Sequence, residues 1–419
     1  MMLQSPATIF QRWQQVVSIA LPYLICVALL VFPLSIAICN IILGFSLFLS
    51  ITSGAWLKGL KSLFQASPLF SKILIAYLTL IPIGLLWSPD ISRGLVILSK
   101  QWSWLLLPLI LITAHEVRWR NRLLMFLSIG LGLHLLLSIS QAFGIPLPVQ
   151  APGGSGEGDP GGLIGHISFG FLYGIWGTWL IQWGLQRQNT WRYLAWALAT
   201  MSIIMVFVVQ GRSGYLVTIA VLALMAWKLC LHKMNWRLLL TATVMFAGVM
   251  IMIATGPARE RLQWTTDSIQ AIYSGDFSKA EARWSLWYAA WEGWKQNPLL
   301  GVGTGGFPST ADSITAAKPD LYFGGTSPAH PHQMYLLDLV RWGPVGLLML
   351  LSLLWQWLKL GKDSDWRKNH TDSLITMAAL GLAVHGLSAP SLEEYHSSVF
   401  ATILLGLGLA ALKARLEQA

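Results

Sequence analysis

Residues 15–53 read QVVSIALPYLICVALLVFPLSIAICNIILGFSLFLSITS, without one Asp, Glu, Lys or Arg. A membrane-spanning helix needs about 20 predominantly apolar residues. The stretch accommodates two, at 15–33 and 35–53, with a short turn between them. Residues 15–33 alone could pass for a signal peptide. No small-residue cleavage site with a soluble domain follows, and a second apolar run begins at once, so the segment is read as a retained first span.

Ten further apolar stretches follow, near 70–87, 94–113, 121–143, 162–184, 191–210, 212–231, 236–255, 332–356, 371–388 and 396–414. Composition agrees. Only 11% of the 419 residues are charged, against roughly 25% in an average soluble domain. Hydrophobic residues make up 55% and there are 22 Trp. Such a chain has too little polar surface to cover a soluble globule, and it is too rich in apolar and aromatic residues for disorder. The expected fold class is all-α: a polytopic membrane protein with about twelve transmembrane helices. The expected division is 1–255 as the first nine spans, 256–331 as an external loop subdomain, and 332–419 as the last three spans with a short tail, together one integrated domain.

The net charge of +10 would ordinarily suggest nucleic acid or an acidic surface. Sorting the cations by connection gives another reading. One alternate set of connections holds Arg12; Lys58, Lys61 and Lys72; Arg118, Arg120 and Arg122; Arg187 and Arg192; Lys228, Lys233 and Arg237; Lys359, Lys362, Arg367 and Lys368; and Lys413 and Arg415. The opposite short connections hold only Arg93 and Arg212, and Lys100 and Arg341 fall inside spans. By the positive-inside rule both termini are cytoplasmic. Nucleic acid drops out as a partner, and membrane lipids take its place. Cys26, Cys39 and Cys230 all fall in apolar stretches, which argues for packing and against a disulfide framework or a zinc site. The Gly-rich segment 152–162 has turn composition, and its acids do not have EF-hand spacing.

The external loop 256–331 is the informative part, because long loops tend to be functional. Residues 258–275 are helix-like and end at Gly275, a C-cap candidate. Asp276 or Ser278 can cap a second helix that stops before Pro298. That helix carries Trp284, Trp287, Trp291 and Trp294, whose spacing of 3, 4 and 3 puts four indoles on one face. Trp prefers the membrane–water boundary, so 278–296 reads as an interfacial helix. Gly301, Gly303, Gly305 and Gly306 lack the Walker Lys-Ser/Thr and a preceding strand, so they read as a tight turn and not as a phosphate cradle. His332 stands at the mouth of the next span. Asp338 lies three residues before Arg341 and can pair with it on one helix face as an intramembrane neutralisation.

The ordered set His332-Gln333, Tyr335-Leu336, Gly343 and Gly346, with Arg283, Trp287, Pro298, Gly301-Val302-Gly303, Phe307 and Gly211-Arg212-Ser213-Gly214, resembles the O-antigen ligase and polymerase superfamily of bacterial glycan-assembly enzymes. GLIGHISFG at 162–170 is a looser match. The resemblance covers the second half of the chain and implies a C-type membrane glycosyltransferase fold. It implies transfer of a glycan from undecaprenyl diphosphate, in ligases to a sugar hydroxyl of lipid A–core. It further implies no cofactor, no metal and no nucleotide sugar, and a site facing the periplasm from a multi-pass protein of the bacterial inner membrane. The family's essential His and Arg residues map by position onto His332, Arg212 and Arg283. Chemically, Arg is always cationic and bidentate towards phosphate, and His is the usual acceptor of a hydroxyl proton. His330 is a competing base. Tyr335, Trp287, Lys100, Arg93 and Arg341 are secondary candidates. His166, His385, His396 and His134 read as structural, with His166 and His396 near the external ends. Three other readings stay open. A polymerase would use the same donor. A protein-directed oligosaccharyltransferase is disfavoured, because such enzymes often carry an additional C-terminal region. A secondary transporter would be expected to show inverted repeats and broken helices, and the sequence suggests neither.

Overall fold

The computed structural model describes residues 6–147, 159–209, 211–230, 257–274, 282–321, 328–367 and 369–417. The expected span 236–255, the caps Gly275, Asp276 and Ser278, and most of the Gly-rich loop 152–162 lie outside them.

The first half runs α1 (Pro6–Val31), α2 (Ile36–Thr52), α3 (Ala55–Ala66), α4 (Pro68–Ile83), α5 (Ile91–Ser99), a 3₁₀ turn (Lys100–Leu105), α6 (Leu106–Thr113) and α7 (Val117–Ala142). Then come α8 (His166–Leu185), α9 (Trp191–Val208), α10 (Arg212–Cys230), α11 (Pro257–Tyr273), α12 (Ala282–Gln296) and α13 (Phe307–Ala317). The chain closes with α14 (Met334–Leu360), α15 (Ser373–His385) and α16 (Tyr395–Leu416). A helix thus occupies each of the expected spans outside 236–255. By length and hydropathy, however, seven of the described helical segments can cross a membrane unaided, or eight if α2 and α3, bent by 88°, count as one broken span. The expected figure of twelve is therefore not reached among the described residues. Helices α4 and α15 are apolar but short, and α3 turns the connection bearing Lys58 and Lys61 into a helix.

Helix α8 sits at the centre. It is buried on every side, as a helix that is apolar all round must be. Gly170 and Gly174 on α8 face Gly214 and Thr218 on α10 so closely that a methyl on either glycine would overlap the partner helix. This small-xxx-small pairing is a favoured way for helices to approach without a hydrophobic driving force. The connections separate to two ends of the bundle. At one end Trp179 Nε1 donates to His370 O (3.1 Å), Lys413 Nζ donates to Ser62 (2.9 Å), and Lys228 Nζ donates to Lys362 O (2.7 Å). At the other, Met334 N–H donates to Gly386 O (2.8 Å), and His385 Nε2 lies 3.0 Å from Ile167 O.

Helix α14 is broken. Trp342 (φ −131°, ψ 16°) and Gly343 (φ 63°, ψ −158°) leave helical geometry just before Pro344. Pro344 has no N–H to offer the carbonyl four residues back, Val340. The glycine turn supplies what is missing. Val302 N–H donates to Val340 O (2.8 Å) and Gly303 N–H to Arg341 O (2.9 Å). Thr304 N–H then donates to Gly84 O (3.1 Å), and Gly305 N–H to Ser88 Oγ (2.9 Å). Gly301 and Gly306 donate to Asn297 O and Gly303 O. All six amides of 301–306 are engaged by protein acceptors, so none remains for a phosphate. The turn expected from the sequence is correct. The break in α14 and the helix α13, with Pro308 in its first turn, are additions that the sequence reading lacked.

Gly301 (φ 66°) and Gly343 sit in backbone conformations that disfavour side chains, and a Cβ on either would meet main-chain carbonyls of the other segment. Gly301→Ala and Gly343→Ala are each expected to cost at least about 2 kcal/mol. Gly44→Ala, in α2 with open space around it, is expected to be neutral or stabilising by up to about 1 kcal/mol. Thermal unfolding in detergent checks all three.

Candidate functional site

The glycine turn and the break fix where the charged residues of α14 stand. Arg341 is the second residue before Gly343. Its side chain is 1% exposed, and it pairs bidentately with Glu393, 9% exposed, in the 386–394 connection. Asp338 attracts Arg341 as expected, but forms no direct ion pair with it. Its Oδ2 instead accepts the Tyr77 hydroxyl of α4 at 2.9 Å. The reason lies in the fold: the 386–394 connection brings a second carboxylate to Arg341, while α4 brings a hydroxyl to Asp338.

Beside this pair the chain turns into α14 through His330-Pro331-His332-Gln333. Gln333 caps the helix by accepting the Leu336 N–H. His332 has φ 52°, a left-handed conformation uncommon for a non-glycine residue and often found at functional sites. Its N–H donates to His330 Nδ1 (3.3 Å), and the two rings meet edge to face at 4.3 Å. His332 Nδ1 is buried with no hydrogen-bond partner among the described residues. Burial, then the nearby Arg283 guanidinium, then His166, hold His332 down to about 4. Burial, then His332, Arg341, Lys100 and Arg93, hold His330 down to about 3. Both imidazoles are therefore neutral above pH 5, inside a ring of cations.

Glu394, next to Glu393, completes the group. It accepts weak hydrogen bonds from Ser168 (3.4 Å) and Ser397 (3.5 Å). Enclosure pushes its carboxyl up to about 7, opposed by those two hydroxyls and by Arg283 and Lys100. Lys100 opens the 3₁₀ turn whose Trp102 stacks at 6.4 Å on Tyr395, the residue after Glu394. Arg93 stands in the first turn of α5, which Asp90 caps.

The structure thus gathers His332, His330, Arg283, Lys100, Arg93 and Arg341. Arg212 donates to Thr265 on α11. Tyr335 donates its hydroxyl to Ala383 O at 2.6 Å and so ties α14 to α15. Trp287 packs edge to face on Trp284 at 4.9 Å. The four indoles of α12 do share one face, with Trp291 45% exposed, while Ser285, Leu286, Ala289, Ala290 and Gly293 bury the other. Glu393 and Glu394 were missed from the sequence. The available signal was two consecutive acids immediately before an apolar run.

A bundle of apolar helices, seven of them among the described residues long and apolar enough to cross a membrane, is that of an integral membrane protein, with histidines and cations grouped at one end. Residues 196–351, from α9 into α14, match the family model described as O-antigen ligase, which supports membership of the O-antigen ligase and polymerase superfamily. That segment contains Arg212, Arg283, His332 and the glycine turn. No curated protein matches the chain.

The Arg341–Glu393 pair is buried, so removing one partner strands a charge. Glu393→Leu is expected to destabilise by about 3–5 kcal/mol, and Arg341→Met with Glu393→Leu to recover most of that loss. A double-mutant cycle on unfolding measures it; equal costs for the single and double variants would refute the pairing.

Proposed function

We propose that the protein transfers O-antigen polysaccharide from undecaprenyl diphosphate to a sugar hydroxyl of lipid A–core, on the periplasmic face of the bacterial inner membrane. The family match supports an O-antigen ligase or polymerase type of function. The observation that carries the finer reading is His332, a neutral imidazole with an unpartnered Nδ1 beside the Arg283 guanidinium.

A lipid-linked diphosphate is an activated donor. Its leaving group departs as a stabilised anion and needs its charge held more than it needs a proton. Arg283 supplies fixed positive charge where that anion develops, and Arg212, tied to the loop helix α11, is the second proposed clamp. The acceptor hydroxyl loses its proton as it attacks, and His332 takes it. Burial and then the Arg283 charge depress His332 in the free protein; the arriving diphosphate offsets the charge, so its basicity rises with substrate bound. The shared indole face of α12 fits a site at the membrane surface, where a polyprenyl donor presents its head group.

His332→Ala is expected to lower transfer by 10²–10⁴-fold with the fold intact. The base must be deprotonated, so kcat/KM falls as pH drops through its free-protein value. The acid limb is expected near pH 4 and not near 6.5. Arg283→Gln removes a depressing charge, so the limb moves up while donor KM rises. An unchanged limb in Arg283→Gln refutes the contact. Purified protein with lipid-linked O-antigen and lipid A–core separates the two chemistries: product on core supports ligation, and longer lipid-linked chains alone support polymerisation.

A further inference from the structure

The floor of the site lies below the ends of the helices around it, and two walls measure the drop. The first wall is α7. Residues 160–163, which lead into α8, are held against the side of α7 and not beyond its end. Gly162 N–H donates to Gln141 Oε1 (2.9 Å), Ser138 donates to Pro160 O, and Leu163 N–H donates to His134 Nε2 (2.9 Å). Gln141, Ser138 and His134 follow one another along a single face of α7. His134 is about 10 Å further down the helix than Gln141, and the Tyr173 hydroxyl fixes its ring at 2.7 Å. His166 opens α8 three residues after Leu163 and holds Asp159 at 2.9 Å.

The second wall is α4, and it gives the same drop. The glycine turn rests on the end of α4 through Gly84 O. Asp338 meets α4 at Tyr77 (2.9 Å), about 10 Å further down that helix. The first arm of α14, 334–341, therefore lies beneath the glycine turn and out of line with the second arm. The fold-back is tight: a methyl on Gly346 would come within 2.7 Å of Asp338 O, although eight residues of a straight helix rise about 12 Å. The connection after α15 joins the two walls. Met334 N–H donates to Gly386 O (2.8 Å), Arg341 pairs with Glu393, and Ser168 donates to Glu394 (3.4 Å). Helix α15 itself has 13 residues. It is about 20 Å long and stops short of a hydrocarbon core of roughly 30 Å.

The outer faces of both walls are apolar at and above this level. Leu136, on the face of α7 opposite to His134 and Ser138, is exposed, as is Phe143 just past the helix; so are Ile83 and Leu86 at the end of α4. On an integral membrane protein such faces meet acyl chains. The floor between them carries Asp159, His166, His330, His332 and Glu394. Ionisable groups at such depth belong in a water-filled cavity, because lipid cannot solvate them. We propose that 159–166, 330–341 and 386–394 floor a water-filled depression about 10 Å deep, sunk into the leaflet at this end of the bundle. It admits polar head groups and excludes acyl chains. The depression does not depend on which reaction the site carries out. For a lipid-linked donor it means that the head group leaves the plane of its neighbours and descends by about two helical turns to meet His332.

Single cysteines test this in vesicles of phosphatidylethanolamine and phosphatidylglycerol. The probe is a charged, membrane-impermeant methanethiosulfonate, and the unsubstituted protein gives the background. His166→Cys, at a side chain 28% exposed, and His330→Cys report on the floor. Leu136→Cys and Ile83→Cys report on the walls, at residues 58% and 47% exposed and no deeper than the floor. The floor cysteines are expected to react at least about tenfold faster than the wall cysteines, because lipid shields the walls from a charged reagent. All four are expected to react alike once the protein is denatured in dodecyl sulfate. Floor cysteines as slow as Leu136→Cys overturn the depression, because water then does not reach the floor. Wall cysteines as fast as the floor overturn it too, because the whole end then stands clear of the membrane. Should one floor variant fail to fold, as judged by its unfolding temperature, the other decides.

Discussion

The rest of this structure depends on one missing hydrogen bond. Pro344 offers no N–H to Val340, and the helix that should run from Met334 to Leu360 breaks one residue earlier. Two carbonyls are exposed where the surroundings cannot hydrate them, and a buried unpaired carbonyl is costly. Residues 301–306 repair this from outside the helix. Their glycines are required because two backbones must nearly touch. The repair pins the glycine turn to α4 and α14 at once, since the same turn bonds Gly84, Ser88 and the Trp342 indole. The loop helices α12 and α13, and with them Arg283, are thereby held over the start of α14, where His332 lies.

The same constraint explains the charges. A continuous helix would carry Arg341 into the apolar bundle with only Asp338 three residues away. The break ends the helix two residues after Arg341, and Glu393 meets it from the next connection. Arg341 is thus neutralised locally, while Lys100, Arg93 and Arg283 face Glu394 and the two histidines. Burial first, and the neighbouring cations after it, hold His330 and His332 neutral. A site in this state is complementary to an arriving polyanion, because bringing in a diphosphate removes repulsion as well as adding attraction.

Much of this was legible in the residues. Span positions follow from runs of apolar side chains, which are local. The sorting of Lys and Arg by alternate connection gives an expected sidedness, because cytoplasmic connections carry the excess of positive charge. The indole face of α12 follows from helical spacing. The Gly-Pro step at 343–344 was a visible breaker, and the span there was read as continuous only because the hydropathy signal ran through it. The pairings were not legible. Arg341 with Glu393, Tyr77 with Asp338 and Ser168 with Glu394 join residues separated by 52, 261 and 226 positions. No local period encodes such contacts, since they arise from how whole helices are stacked. The nearer pair Asp159–His166 was hidden for another reason: Asp159 ends a segment whose Gly and Pro content marks it as a turn, a role that acids often share.

The division of labour among the histidines follows from this packing. Nine are present, and residue type alone ranks none above another. His134 and His385 spend both ring nitrogens on the protein, His134 on Tyr173 and Leu163, His385 on Ser391 and Ile167. A ring with both nitrogens committed has no lone pair or proton to exchange with a substrate. His332 keeps Nδ1 uncommitted, and His166 has one nitrogen fixed by a carboxylate. In a site without surplus hydrogen-bond partners, reactivity belongs to the rings that the fold leaves incompletely satisfied, and His332, at the entry to α14, is one of them.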